Sequence, residues 1–237
     1  MTYIEGFVTA VPVANKDRYI AHAREAAAMV RAFGVTRFVE TWADDVPRGT
    51  LNDLWGAVQA KDGEAVLFSW FEYPDRATRD AVNTKMMADS RMEDMAKDMP
   101  FDGSRMIYGG FDSVSDVGGG SGVGYVDGIV LPLRDDARDA FGAFASSVAG
   151  VFLEYGALRV MDAVADDVRP GQHTDFLRAV HADDGERPAL GWIEWPDKGT
   201  REAGWEKIMA DPRMDGKDAP FDGKRMIFGG FVPILDL

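Results

Sequence analysis

Hydrophobic positions change period in a set order along the first half of the chain. Residues 3–12, YIEGFVTAVP, read as a strand. The alanine-rich run 16–34 has helical spacing and stops at Gly34, a residue that tolerates the left-handed conformation of a helix end. VTRFVETWADDV alternates again and ends at Pro47. A polar loop then reaches Gly63. EAVLFSWFEY predicts a third strand, Pro74 opens a second helix through Asp89, and RMIYGGFDSV predicts a fourth strand. The order is βαββαβ, the ferredoxin-like arrangement of an antiparallel four-stranded sheet with two helices on one face.

The same order is then repeated. Sliding the chain by 122 residues aligns Tyr3 with Tyr125, Gly34 with Gly156, Asp45 with Asp167 and Trp70 with Trp192. PFDGSRMIYGGF at 100–111 returns as PFDGKRMIFGGF at 220–231, displaced by 120 because the first copy holds two more residues after Met92. Between the copies, DVGGGSGVG has the composition of a flexible tether. The expected organisation is a first repeat over 1–115, a linker over 116–124 and a second repeat over 125–237. Helices cover one face of each sheet, yet Phe38, Trp42, Phe68 and Trp70 would leave too much apolar surface on the other. The expectation is therefore an α+β fold in which the two sheets face each other as a pseudo-dimeric α+β barrel, with a cavity between them. One monomer would then supply both halves, and higher assembly through the helices stays open.

The segments GFVTAVPVANKDRY, WADDVP, FSWFEYP, MMADSRM and PFDGSRMIYGGF, taken in order, resemble the bacterial YbaA-like family, a domain of unknown function placed among dimeric α+β barrels. The resemblance implies this fold and mode of assembly and names no reaction. It is closer in the first copy. LPLRDDARDAF in the second departs from VPVANKDRY, and DAVADDVRPG lacks the tryptophan.

Composition narrows the chemistry. Forty acidic residues against 26 basic ones give a net charge of −14, a field that disfavours nucleic acid and anionic membrane surfaces. The chain has no cysteine, so neither disulfides nor thiolate chemistry is available to it, which fits a reducing, cytoplasmic setting. His22, His173 and His181 show no metal or relay spacing, and neither a metal nor a cofactor is expected.

Candidate site residues come from strand alternation. Phe38, Glu40 and Trp42 share one face of the second strand, and Phe68, Trp70 and Glu72 share one face of the third. If both faces line the barrel, Glu40, Glu72 and Glu194 are candidate acids or bases beside Trp42, Trp70 and Trp192. Otherwise these carboxylates meet water or an arginine near strand ends. Asp162 stands where Glu40 does. Arg105 and Arg225 are candidate anion-binding forks, with a structural pairing to acids as the competing role. The repeated ADDV runs suit turn capping better than a shared ion. Six of the twelve methionines lie between 85 and 106, fitting either a pliable pocket or an irregular core joint. The expected function is binding of a small organic molecule between the sheets, extending to cofactor-free catalysis. A structural or stress-associated module is the alternative.

Overall fold

The computed structural model describes residues 2–214 and 219–237. The stretch 215–218, part of the segment where the two copies differ in length, lies outside the described residues. Eight strands, β1 (Tyr3–Pro12), β2 (Arg37–Asp45), β3 (Glu64–Tyr73), β4 (Ile107–Gly118), β5 (Tyr125–Arg134), β6 (Arg159–Asp167), β7 (Glu186–Trp195) and β8 (Ile227–Asp236), form one closed antiparallel barrel. Their order around it is β1-β3-β2-β8-β5-β7-β6-β4. Each repeat contributes four consecutive staves, and the repeats join edge to edge through β2 with β8 and β4 with β6. Among the described residues, closure gives each strand a hydrogen-bonded neighbour on both sides, so neither copy presents an open sheet edge.

Helices α1 (Lys16–Phe33) and α3 (Arg76–Ala88) cover the first repeat from outside, with α4 (Ser90–Lys97) beside them; α5 (Arg138–Glu154) and α7 (Lys198–Met209) cover the second. Gly34, at φ +133°, ends α1 as its sequence position predicts. Asp75, rather than Pro74, starts α3, accepting a hydrogen bond from Thr78 N at 2.7 Å; Asp197 does the same for Thr200 N at 2.8 Å. The polar loops hold two short helices, α2 (Leu54–Ala57) and α6 (Phe176–Ala179), which pack against one end of the barrel core.

Ile4, Val8, Phe68, Phe111, Val126, Val130 and Phe231 fill the interior. Trp70 and Trp192 stack at its centre, ring centroids 4.3 Å apart and planes at 27°. This stack occupies the space where the cavity between the sheets was expected. The reason is phase. Phe38 lies opposite Phe71 in the sheet, and Val39 opposite Trp70. Residues opposite one another share a face, so Phe38, Glu40 and Trp42 point outward to the helices while Phe68, Trp70 and Glu72 point inward. Alternation within each strand holds as read; the two strands are out of step by one residue.

Candidate functional site

The expected site residues separate into three places. Glu72 and Glu194 sit at the barrel end beyond the tryptophan stack, each accepting the indole N–H of its own repeat, from Trp70 at 3.1 Å and Trp192 at 2.9 Å. Arginines cross between the repeats to meet them. Arg37 donates to Glu194 at 2.6 and 3.2 Å, and Arg159 donates to Glu72 at 2.7 and 3.0 Å. Asp236 and Asp116 hold the other sides of the two guanidinium groups. Both glutamates are thus engaged in a reciprocal ion-pair network that clamps one repeat to the other.

Arg105 and Arg225 play a matching structural part. Arg105 forks onto Glu64 at 2.7 and 2.6 Å, and Arg225 onto Glu186 at 2.7 and 2.8 Å. Each also donates to a carbonyl, Gln59 O or His181 O, of a residue whose φ is +49°. The forks hold strained backbone in place. The repeated aspartates also bind across the repeats: Asp44 accepts from Tyr125 and Lys198, Asp45 from Arg201, Asp166 from Tyr3, and Asp167 from Arg79. Among the described residues no group of three or more histidines, aspartates or glutamates is placed to hold a metal ion.

Glu40 is in a different setting. It faces a cleft of about 380 Å³ between the outer face of the first repeat's sheet and helices α1, α3 and α4. Phe7, Phe38 and Phe71 form an aromatic floor, with Phe7 and Phe71 at 4.7 Å and Phe38 stacked on Phe71 at 4.4 Å. Met86, Met87, Met92 and Met106 line the roof and mouth. The methionine-rich stretch therefore serves a pocket, whereas the buried Met95 serves the core. Trp42 lies under α1 with Lys16 over its ring and does not line the cleft.

Within the cleft, Tyr19 Oη donates to Glu40 Oε2 at 2.7 Å, and Ser69 Oγ donates to the same oxygen. Oε1 has no hydrogen-bond partner among the described residues and is not sealed from the cleft. Burial raises the Glu40 carboxyl to about 7, against the opposing pull of the Ser69 and Tyr19 hydrogen bonds. Burial, and then the charge of Glu40, hold Tyr19 well above the ordinary phenol range, so it stays a donor. With both hydroxyls directed at Oε2, the proton of neutral Glu40 belongs on Oε1, facing the cleft. Burial lowers His22, at the cleft wall and edge-on to Phe101, towards the neutral imidazole. Glu5 borders the far side, accepting from Tyr73 at 2.9 Å and Asn83 at 3.1 Å, with Arg79 beside it.

Of the residues proposed from sequence, the structure brings Glu40 to this cleft. Glu5, Tyr19, His22, Ser69 and Asn83 went unrecognised there. Ser69 alternates with Phe68 and Trp70 and so lies on the helix-facing side of β3, while Glu5 lies on β1, a strand whose inward face alternation alone does not identify. Tyr19 and Asn83 lie on helices, where a lone polar residue carries no signal of what it faces.

Comparison with known proteins agrees with this architecture. Residues 2–103 and 124–223 each match the family described as a protein of unknown function, DUF1428. The uncharacterized protein YbaA of Escherichia coli K12 is 53% identical over 116 residues, which is 49% of this chain and 99% of YbaA. Three solved structures share the fold at low identity. A candidate monooxygenase of Lactobacillus acidophilus NCFM aligns with a TM-score of 0.63 at 7% identity, over 99% of this chain and 95% of that one. One of Fusobacterium nucleatum aligns with 0.61 at 9%, over 99% and 93%. An anthrone oxidase-like protein aligns with 0.57 at 8%, over 100% and 92%. With both halves matched and a relative about as long as one half, the chain belongs to the DUF1428 family and carries two of its units in tandem.

Proposed function

We propose that the protein binds a small, largely apolar organic molecule in the first repeat's cleft, where Glu40 exchanges a proton with it. The observation that carries this reading is the half-committed carboxyl: Oε2 is fixed by Tyr19 and Ser69, while Oε1 stays open to an aromatic-lined space. A buried acid titrating near neutrality is suited to general acid or base work, because both protonation states are populated at working pH. The cleft volume lies within the ordinary range for small-molecule sites. The shared fold adds support, since two of the similar structures are described as candidate monooxygenases and the third as anthrone oxidase-like. In this reading each half, 1–115 and 125–237, is a ferredoxin-like unit with strand order 4-1-3-2, supported by the pairing within each repeat. An acidic, cysteine-free chain whose described helices are none of them long and apolar enough to cross a membrane fits a monomer working in the cytoplasm.

Thermal-shift and calorimetric titration with phenols, hydroxyquinones and saturated alcohols of similar size tests the reading. A ligand present at a hundred times its Kd stabilises by about 2.7 kcal/mol. For a chain of this size that raises Tm by roughly 5–11 °C. Ala26→Trp, which fills the cleft from α1, should abolish the shift, and Glu40→Gln should weaken hydroxyl-bearing ligands at least tenfold while leaving the fold intact. A panel with no active member, or equal binding by Ala26→Trp, overturns the proposal.

A further inference from the structure

Position by position, the second repeat shows what the first repeat's cleft lacks. Asn83, which donates to Glu5, corresponds to Trp205, whose indole N–H donates to Asp127 Oδ2 at 2.8 Å. Tyr73 and Arg79 correspond to Trp195 and Arg201, which complete the same set of donors around Asp127. The donor at Asn83 is thus retained at Trp205, and the added element is a bicyclic ring. That ring meets Phe152 edge-on at 5.2 Å, and Phe152 replaces Val30, a residue of the first cleft's wall. Phe141 and Phe144 replace Tyr19 and His22 and pack edge-on against Phe221 at 6.1 and 5.7 Å.

The floor changes in the opposite sense. Phe7, Phe38 and Phe71 become Ile129, Val160 and Ile193. Glu40 becomes the shorter Asp162, and Ser69 becomes Gly191, where an added Cβ would come within 2.6 Å of Asp162 Oδ1. The polar cluster is dismantled where the aromatic roof is built in. One repeat has an aromatic floor, an acid held by two hydroxyls and open volume; the other has an aliphatic floor, a shorter acid whose two hydroxyl partners are replaced by Phe141 and Gly191, and a ring of its own.

We infer that Trp205 is a built-in occupant marking the ligand's place: the first cleft takes one planar aromatic molecule of about two fused rings, with a hydroxyl, carbonyl or ring N–H turned to Glu40, and the second repeat takes none. This rests on the cleft being a binding site and adds the ligand's shape and the stoichiometry. An aromatic ring lying on Phe7 and Phe71 would gain the offset stacking that a saturated ring of equal size cannot.

Indole and 2-naphthol are the probes, titrated calorimetrically into the full chain. One probe molecule per chain is expected. Asn83→Trp, which copies the second repeat's solution, should weaken binding at least thirtyfold while Tm holds or rises. Trp205→Asn combined with Phe152→Val should open a second, weaker place, since the aliphatic floor and the missing hydroxyls remain, and bring the count to two at saturating probe. Two molecules on the wild type, undiminished binding by Asn83→Trp, or a soluble Asn83→Trp with a lowered Tm would each overturn the inference. Should Asn83→Trp fail to fold, the opened variant decides, and a count that stays at one at saturating probe refutes it. If phenols or alcohols from the broader panel bind while both bicyclic probes do not, this inference falls and the cleft's binding role stands. If nothing binds, the binding role itself falls, and an unchanged or raised Tm in Asn83→Trp would still show that the two repeats correspond in volume.

Discussion

Replacing Glu40 by glutamine removes a titrating proton without changing shape, so its effect on stability should depend on pH in a calculable way. The amide oxygen can still accept from Tyr19 and Ser69, and the NH2 takes the place of the protonated oxygen facing the cleft. In the native state the carboxyl titrates near 7, because burial penalises its charge; unfolded, it returns to the ordinary 4.5. Between those values the folded protein holds a proton that the unfolded chain has released, so stability falls as pH rises. The contribution is fully present below about 4.5 and is gone above about 7. A gap of 2.5 pH units at 1.36 kcal/mol each amounts to about 3 kcal/mol, or roughly 6–12 °C in Tm for a chain of this length. Glutamine carries no such penalty. The variant should match the wild type within about 1 kcal/mol at pH 4.5 and exceed it by about 3 kcal/mol at pH 8. Urea unfolding at half-unit steps between these limits measures it, with m constant as the sign that only stability has changed. Asp162, raised by burial to about 7 as well, adds to the slope of both proteins and cancels in the difference, since it lies on the other repeat. A difference that is flat with pH, or that shrinks as pH rises, would refute the burial argument, and with it the claim that Glu40 is poised to exchange protons.

Two further outcomes follow from the rest of the molecule. Arg37→Ala leaves Glu194 buried without its cross-repeat partner and should cost about 3–5 kcal/mol, read as a lowered urea midpoint; removing Arg37 and Glu194 together should cost clearly less than the sum of the two single changes. Gly110→Ala would place a methyl 2.2 Å from Tyr3 Oη, displacing the hydroxyl that donates to Asp166, and should lower stability by about 1–3 kcal/mol. A Tm within 1 °C of wild type, measured by calorimetry, would contradict that packing.

Much of the architecture was legible in the linear pattern because the pattern is local. The 122-residue self-similarity, the switch between periods of 2 and 3.6, and the helix-ending Gly34 each depend on neighbours a few positions apart, or on direct comparison of the two copies. The need for each sheet to bury its second face was read from Phe38, Trp42, Phe68 and Trp70 together; Phe68 and Trp70 carry it inside the closed barrel, whereas Phe38 and Trp42 pack under the helices. Arg105 and Arg225 fork onto Glu64 and Glu186, and Met86, Met87, Met92 and Met106 line the cleft. Residue type alone could not assign these places.

Phase, by contrast, was settled by contacts between strands. Alternation says which residues share a face of one strand, but the face that turns inward depends on register against the next strand, and a shift of one position exchanges core for surface. That shift separated Glu40 from Glu72 and moved the cavity from between the sheets to beneath α1. It also divided two chemically identical side chains into different roles. Glu72 met an arginine from the other repeat and became part of a clamp, while Glu40 met two hydroxyls and an aromatic wall, and kept one oxygen free. The hydroxyl and guanidinium partners that divide them, Tyr19 and Ser69 for Glu40 and Arg159 for Glu72, lie between 21 and 87 residues away along the chain, distances over which hydrophobic periodicity carries no information and only the folded contacts do.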